Sequence, residues 1–205
     1  MHIQINTISD LKKFFLLRLR GLYSEAEIAS ISEIIIKTLF HLNRLQQIQN
    51  PDYIIPLTKR SEIEQIYNEL ASGKPVQYIT GETVFYDCII KLNSHTFIPR
   101  QETEELVDLI VKENPNFKGK ILDIGTGPGS IAVALAGNMP EAKVHAIDIS
   151  DEALEIAREN ALLNNVKVKF FLADVLSPSL DLPEFYDIVV SNPPYIPESE
   201  KKIMH

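Results

Sequence analysis

Apolar residues recur at every third or fourth position through the first part of the chain. Between positions 24 and 42 they fall at Ile28, Ile31, Ile34, Ile35, Leu39 and Leu42. This spacing places one apolar stripe along a helix, and Ser24 with Glu27 has the spacing of a capping box that begins it. The segment is therefore predicted to be an amphipathic helix.

Two further segments predict helices of the same kind. Ser9-Asp10 precedes the run LKKFFLLRLR and provides a helix start signal. Ser61 and Glu64 have capping-box spacing ahead of another apolar face. Short helices joined by short loops predict a small bundle over residues 1–72. We find no catalytic set of residues in it and interpret it as a substrate-recognition domain.

The pattern changes over residues 73–100. The stretches VFYDCIIKL and HTFI are rich in β-branched and aromatic residues, and Asn93-Ser94 between them favours a turn. We expect a β-hairpin with its turn there, which links the bundle to the rest of the chain. The next segment, QETEELVDLIVKEN, is predicted to be a helix. Acidic residues fill its first turn, where the helix dipole favours them.

Strands and helices alternate through most of residues 101–205. Strands are predicted in KGKILDIG, AKVHAIDIS, VKVKFFLAD and EFYDIVVSN, and helices in SIAVALAGNM and DEALEIARENALLNN, the latter capped by Ser150. Alternation of this kind predicts right-handed βαβ units around a parallel sheet, the α/β class. Such sheets bind ligands at the carboxyl ends of their strands.

Charge divides the chain in the same way as the pattern. Residues 1–72 are neutral, and the whole net charge of −8 lies in residues 73–205. Proteins that grip phosphate backbones are usually basic, so no direct contact with nucleic acid is expected. One cysteine excludes an intrachain disulfide and a cysteine-rich metal site. Since no apolar run reaches about 18–20 residues, we expect a cytoplasmic protein without a membrane segment.

A glycine-rich loop follows the first predicted strand of the sheet. It reads Asp123-Ile-Gly125-Thr126-Gly127-Pro128-Gly129 and leads into a helix, the context in which glycines let a backbone approach a ligand closely. The spacing G-x-G-x-G differs from that of dinucleotide binders, which disfavours an NAD-dependent dehydrogenase. A tight turn without a ligand is the alternative.

Acidic residues end the next two strands. Asp148 stands where a carboxylate can accept hydrogen bonds from both hydroxyls of a ribose. Asp174 ends the third strand, where it can accept from the amino group of an adenine, although turns alone also favour aspartate. Together with Asp123 they predict a nucleoside that lies across the strand ends.

The sequence Asn192-Pro193-Pro194-Tyr195 ends the fourth strand. Two prolines remove two backbone donors and stiffen the loop, which leaves carbonyl groups free to face a ligand. Asn192 provides an amide acceptor, and Tyr195 provides a flat ring. A rigid turn that only ends the strand is the alternative, and it is disfavoured opposite a nucleoside site.

These motifs resemble the Rossmann-like class I S-adenosylmethionine-dependent methyltransferases that act on planar amino or amide nitrogens. Further motifs resemble the HemK/PrmC family, the peptide chain release factor N5-glutamine methyltransferases. They are Gly73-x-Pro75-x-Gln77-Tyr78-Ile79-x-Gly81, Phe85-Tyr86, Ile98-Pro99-Arg100-x-Glu102-Thr103-Glu104 and Ser191-Asn192-Pro193-Pro194-Tyr195-Ile196. The resemblance is strong over about residues 60–198. It departs at Asp87 and Gln101, where the family often has glycine and proline.

The resemblance implies a role for each site residue. It implies that S-adenosylmethionine is bound by Asp123, Gly125, Thr126, Gly127, Pro128, Gly129, Asp148, Asp174, Val175 and Asn192. In this arrangement the glycine loop approaches the amino-acid part of the cofactor, Asp148 holds the ribose, and Asp174 with Val175 borders the adenine. The glutamine amide of a release factor would lie against Asn192, Pro193, Pro194 and Tyr195. Asn192, Pro193 and Tyr195 are the expected catalytic residues, and no metal is required.

Two other functions remain open at this point. An adenine-N6 methyltransferase acting on DNA or RNA uses the same Asn-Pro-Pro-Tyr sequence, although the acidity of the catalytic part disfavours it. A nucleotide-binding fragment without catalysis is the other. In the family the chain continues beyond this motif, whereas only IPESEKKIMH follows Tyr195 here. We therefore expect an incomplete sheet with a bare outer edge, and weak or no cofactor binding by this chain alone.

Overall fold

The computed structural model describes residues 5–177, 182 and 185–193. The chain divides into two compact units, Met1–Gly81 and Glu82–His205. The dividing point falls within the linker expected at residues 73–100. The finer division at residues 72 and 100 remains a prediction.

Helices make up the described part of the first unit. They are α1 (Ile8–Leu19), α2 (Glu25–Phe40), α3 (Arg44–Gln49), α4 (Arg60–Ala71) and α5 (Val76–Thr80), with a 3₁₀ turn at Leu57–Lys59. Their apolar stripes meet in one core, in which Leu11, Phe15 and Ile35 are fully buried. The predicted helical bundle is therefore confirmed, and burial of these stripes is its main source of stability.

The helix starts in this unit are set by short-range hydrogen bonds. The predicted capping box of Ser24 and Glu27 is confirmed at the start of α2. The predicted start at Ser9-Asp10 is wrong, because Thr7 caps α1 and forms the capping box with Asp10. The predicted box of Ser61 is also wrong. The 3₁₀ turn runs directly into α4, so the carbonyl of Leu57 already accepts from the N–H of Arg60.

A two-stranded hairpin begins the second unit. Strand β1 (Glu82–Phe85) pairs antiparallel with β2 (Cys88–Lys91), and Phe85 lies opposite Cys88. The hairpin turn is therefore Tyr86-Asp87. A turn does form at Asn93-Ser94, where the N–H of Thr96 donates to the carbonyl of Asn93 at 3.3 Å, but no strand follows it. The prediction that this turn closes the hairpin is wrong. Both turn residues have positive φ, 46° and 63°, as a two-residue turn of this type requires. Glycine usually fills such positions, so the sequence VFYDCIIKL carries no turn signal at its middle.

The predicted parallel sheet is confirmed. Its strands are β3 (Lys120–Ile124), β4 (Lys143–Asp148), β5 (Val168–Leu172) and β6 (Ile188–Ser191), in the order β5-β4-β3-β6. Helices α6 (Glu102–Glu113), α7 (Ser130–Asn138) and α8 (Asp151–Leu163) connect or flank them, and Ser150 caps α8 as predicted. Among the described residues, β6 pairs with β3 only.

The direction of strand addition reverses at β3. The chain adds β4 and β5 on one side of β3 and then returns to place β6 on the other side. Ligands of open α/β sheets bind at such a switch point, beyond the carboxyl ends of the strands. Here that point lies between β3 and β6. In the part of the chain that the structure describes, no helix is long and apolar enough to span a membrane.

Candidate active site

The glycine loop joins β3 to α7 at the switch point. Gly125, Gly127 and Gly129 all have positive φ, between 56° and 82°. A Cβ atom on Gly125 or Gly127 would meet nothing within 4 Å, whereas one on Gly129 would lie 3.0 Å from the Cβ of Ala157. The first two glycines therefore leave open space in front of the loop, and the third lets α7 approach α8.

Hydrogen bonds hold this loop against the end of β4. The N–H groups of Gly125 and Thr126 both donate to the carbonyl of Ile147, at 2.9 and 3.0 Å. The N–H of Gly127 donates to Oδ2 of Asp148 at 2.7 Å. Because these donors are used within the protein, a ligand would meet the loop through its bare Cα atoms.

Asp148 lies beside the loop, as the sequence predicts, and both of its oxygens have protein partners. Oδ2 accepts from Gly127, and Oδ1 accepts from the N–H of Ser150 at 3.0 Å. A carboxylate has about four acceptor positions, so each oxygen keeps one for a further donor. Asp148 therefore fixes the loop and the start of α8, and its expected contact with a ribose remains a prediction.

Asp123 is the buried acid beneath the loop. Its side chain is 1% exposed, and Oδ2 accepts from the hydroxyl of Thr126 at 2.6 Å. Burial raises the pKa of Asp123 to about 6, because water no longer stabilises its charge. The hydroxyl of Thr126 and the N–H of Ala132 oppose this rise, although Oδ1 has no partner at hydrogen-bond geometry.

Asp174 and Val175 lie just beyond the carboxyl end of β5, at the same edge of the sheet. Both are exposed, and Oδ1 of Asp174 accepts from the N–H of Leu176 at 2.9 Å. This contact orders a local turn and engages one of the two carboxylate oxygens. A role at an adenine remains a prediction for both residues.

Asn192 follows β6 directly and lies next to the loop. Ser191 is in register with Ile124, and its hydroxyl donates to the carbonyl of Ile124 at 2.8 Å. Neighbouring strands are about 4.8 Å apart, so the residues that follow, Asn192 and Gly125, begin side by side. Pro193 is exposed beside Asn192. The expected site residues Pro194 and Tyr195 lie outside the described residues.

The start of α6 contributes contacts that sequence reasoning did not assign. Thr103 accepts a hydrogen bond from Nδ2 of Asn192 at 2.7 Å, and Oε1 of Glu104 accepts from the N–H of Tyr86 at 3.1 Å. The motif Glu102-Thr103-Glu104 thus connects the hairpin turn to the end of β6. The motif itself was the signal in the sequence that could have indicated these contacts.

Asn160 on α8 is a second residue that sequence reasoning missed. It is fully buried, and its Nδ2 donates to the carbonyl of Pro128 at 2.8 Å and to that of Lys91 at 3.1 Å. Its Oδ1 accepts from the N–H of Lys91 at 2.8 Å. An asparagine on the apolar stripe of a helix, here three residues after Ala157, was the signal that could have indicated it.

The arrangement fits a nucleoside-bearing cation. Open space in front of Gly125 and Gly127 adjoins the acceptors of Asp148, and further acceptors lie along the same sheet edge. These groups match the hydroxyl and amino donors of S-adenosylmethionine. Within the described residues, no group of three or more histidine, cysteine, aspartate or glutamate side chains could hold a metal ion.

Comparison with known proteins assigns both parts of the chain. A family model described as "Methyltransferase small domain" matches residues 101–205, and one described as "PrmC N-terminal domain" matches residues 13–81. The release factor glutamine methyltransferase of Flavobacterium psychrophilum is 42% identical over 202 residues, which are 97% of this chain and 70% of that protein. The chain belongs to the HemK/PrmC family of release factor glutamine methyltransferases.

A second relative in the family gives the same result. The release factor glutamine methyltransferase of Bacteroides thetaiotaomicron is 42% identical over 186 residues, 91% of this chain. The chain spans 70% and 66% of the lengths of these two relatives. Family membership confirms the resemblance shown by the motifs between Gly73 and Glu104 and around Asn192.

Solved structures of other proteins are similar to part of this chain. The tRNA (uracil-54, C5)-methyltransferase of Pyrococcus abyssi, solved with S-adenosyl-L-homocysteine, is 25% identical, with a TM-score of 0.45. The match covers 55% of this chain and 27% of that one. The Rossmann-like class I methyltransferase fold follows from the family models together with the strand order β5-β4-β3-β6.

Proposed function

We propose that this protein transfers a methyl group from S-adenosylmethionine to the side-chain amide nitrogen, N5, of a glutamine in a peptide chain release factor. One observation carries the proposal. Asn192 and the glycine loop leave neighbouring strands in register, because Ser191 pairs with Ile124. An acceptor held at Asn192 would therefore lie beside a cofactor held at the loop.

S-adenosylmethionine is the cofactor of this family, and it supplies a methyl group on a positively charged sulfur that is already electrophilic. The glycine loop would take the amino-acid part of the molecule in its open space. Asp148 would accept from the ribose hydroxyls, and Asp174 with Val175 would border the adenine. Asp123, beneath the loop, orders it through Thr126.

The acceptor nitrogen is the chemical difficulty. The lone pair of a glutamine amide is delocalised into its carbonyl, so the nitrogen is a weak nucleophile. Hydrogen bonds from its N–H groups to Oδ1 of Asn192 and to the carbonyl of Pro193 would hold it in line with the methyl group and favour positive charge on nitrogen. Pro194 and Tyr195 would pack on the flat amide.

The transfer balances without a further reactant. The new bond between nitrogen and the methyl carbon forms as the carbon–sulfur bond breaks, with its electron pair going to sulfur. The extra proton then leaves the nitrogen for solvent. The chain therefore needs no strong general base and supplies position and electrostatic stabilisation.

Radiolabel transfer tests the proposal. Labelled S-adenosylmethionine is incubated with a purified release factor and either this chain or a fusion. The fusion continues the chain with the segment of the Flavobacterium psychrophilum relative that the match does not cover. We expect label on one glutamine of the release factor with the fusion, and little or none with a glutamine-to-alanine substrate.

Two results would contradict the proposal. One is transfer to duplex DNA or RNA in preference to the release factor, which would favour an adenine-N6 methyltransferase. The other is cofactor binding by the fusion without any transfer, which would favour a nucleotide-binding protein.

A further inference from the structure

The side chain of Asn192 forms a hydrogen bond with a threonine of α6. Its Nδ2 donates to Oγ1 of Thr103 at 2.7 Å, across 89 residues of sequence. Thr103 is 8% exposed and lies in the first turn of α6. The contact therefore joins a nearly buried hydroxyl to the exposed end of β6.

This contact decides which way the amide of Asn192 faces. The oxygen and nitrogen of an asparagine side chain share one planar carbon, so a fixed nitrogen also fixes the oxygen. With Nδ2 directed to Thr103, Oδ1 is directed away from α6. In the opposite orientation the NH₂ group would meet the N–H donors of an incoming amide, which would repel it.

Thr103 is itself held in place by the start of α6. Its N–H donates to the carbonyl of Arg100 at 3.0 Å. The next residue, Glu104, accepts from the N–H of Tyr86 at the hairpin turn, which ties this part of the helix to a second element. The hydroxyl is therefore a fixed reference for the Asn192 amide.

We propose that Thr103 is a positioning residue that orients Oδ1 of Asn192 to accept a hydrogen bond from the acceptor amide during methyl transfer. This inference rests on the proposed function. Thr103 acts through Asn192, so its loss should lower the rate of transfer more than the binding of either substrate.

The kinetics of methyl transfer by the fusion test whether Thr103 acts in the reaction. Thr103→Val keeps the shape and removes the hydroxyl, and Thr103→Ser keeps the hydroxyl. We expect Thr103→Val to lower kcat about tenfold, the net effect of one lost hydrogen bond, with KM for S-adenosylmethionine unchanged. Thr103→Ser should keep most of the wild-type kcat. Thr83→Val, which removes a threonine hydroxyl from β1, serves as the matched control.

A second measurement needs no activity. The chain is labelled with ¹⁵N-asparagine, and the side-chain amide signal of Asn192 is assigned by its loss in Asn192→Asp. We expect Thr103→Val to shift that signal and to speed the exchange of its hydrogen-bonded proton, whereas Thr103→Ser and Thr83→Val leave it in place. An unchanged signal in Thr103→Val would overturn the contact.

The two measurements separate the possible failures. Absence of transfer by the fusion without any substitution, with the amide signal responding as expected, would overturn the proposed function and the role of Thr103 in it, while the orienting contact would stand. Active wild type with equal kcat in Thr103→Val would overturn the positioning role alone. Loss of kcat in both Thr103→Val and Thr103→Ser would also contradict it, because the serine retains the hydroxyl.

Discussion

Nδ2 of Asn160 donates to the carbonyl of Pro128 at 2.8 Å, so a residue of α8 holds the glycine loop from behind. The same amide pairs with both backbone groups of Lys91, as a neighbouring strand would. One buried side chain therefore joins the hairpin to the loop at which the cofactor is expected.

The first prediction concerns this amide. Asn160→Asp keeps the shape of the side chain but removes the donor that Pro128 and Lys91 share. The buried carbonyl of Pro128 and the partly buried carbonyl of Lys91 then lose this partner. We expect the free energy of unfolding to fall by at least about 2 kcal/mol. Urea denaturation measures the change.

The control for that variant lies four residues later, at the residue that follows α8. Asn164 is half-buried, but it makes the same pair of contacts with Ile89 and these contacts are exposed. Its Nδ2 also donates to the carbonyl of Asn160 at 2.8 Å. Water can replace those contacts, so Asn164→Asp should cost less than about 1 kcal/mol. Equal losses in the two variants would show that burial of Asn160 is not what makes its contacts important.

The second prediction concerns pH. The pKa of Asp123 is raised from 3.8 to about 6 in the fold, so the folded state binds more protons than the unfolded state between these values. Its contribution to stability is complete below about pH 4 and is lost as pH rises through about 6. Asp123→Asn, which keeps an acceptor for Thr126, avoids this loss.

We therefore expect Asp123→Asn to match the wild type at pH 4 and to be more stable at pH 7.5. A shift of this size corresponds to a difference on the order of 3 kcal/mol. Thermal unfolding of both proteins between pH 4 and 7.5 measures the difference in stability. The other carboxylates are the same in both proteins, so their contributions cancel. A constant difference at all pH values would contradict the assignment.

The third prediction separates the glycines of the loop. Alanine at Gly125 or Gly129 suffers the strain of a positive φ, about 1–2 kcal/mol. At Gly129 it also meets Ala157, and at Gly125 it enters the open space before the loop. We expect Gly129→Ala to lower stability more, and Gly125→Ala to weaken cofactor binding more.

A double-mutant cycle tests the contact with Ala157. Ala157→Gly costs about 1 kcal/mol alone, because glycine disfavours a helix interior. Combined with Gly129→Ala, it should cost less than the sum of the single changes, since the closest contact, with the Cβ of Ala157, is removed and only the Cα at 3.2 Å remains close. Additive losses would exclude the contact as the reason for glycine at this position.

The fourth prediction concerns the acceptor site. Asn192→Ala should lower methylation of a release factor to below about one hundredth of the wild-type rate, because losing such a polarising contact costs about 2.7–4 kcal/mol. Asn116→Gly, at an exposed asparagine with a φ of 60°, is the control and should leave the rate unchanged. Retention of a larger rate in Asn192→Ala would contradict the role of Asn192.

The sheet could be predicted because its signals are local. Each strand is a short, mostly apolar run, and Asp123, Asp148 and Asn192 lie at or next to the carboxyl ends of β3, β4 and β6. Parallel pairing then brings the ends to one edge. The placement of these three residues near one edge of the sheet followed from this rule, whereas their roles in a site remain predictions.

The contacts within the site could not be predicted, because they join distant parts of the sequence. Thr103 and Asn192 are 89 residues apart, and Glu104 reaches a turn 18 residues earlier. That turn, Tyr86-Asp87, contains no glycine to signal its positive φ angles, and the N–H of Tyr86 is held by Glu104 from a distant part of the sequence. The start of α1 could not be placed for a different reason. Thr7 and Ser9 are both residues that can begin a helix, and the sequence alone does not show which of them does.

The strand order has a consequence for the synthesis of the chain. The centre of the sheet is β3, but its neighbour β6 begins at Ile188, long after β3 ends at Ile124. The helical unit, in contrast, has all of its core residues within the first 81 positions. Contacts between residues near in sequence form sooner, so we expect the bundle to fold while the chain is still being made. Until β6 emerges, one edge of β3 stays open to pairing with other chains.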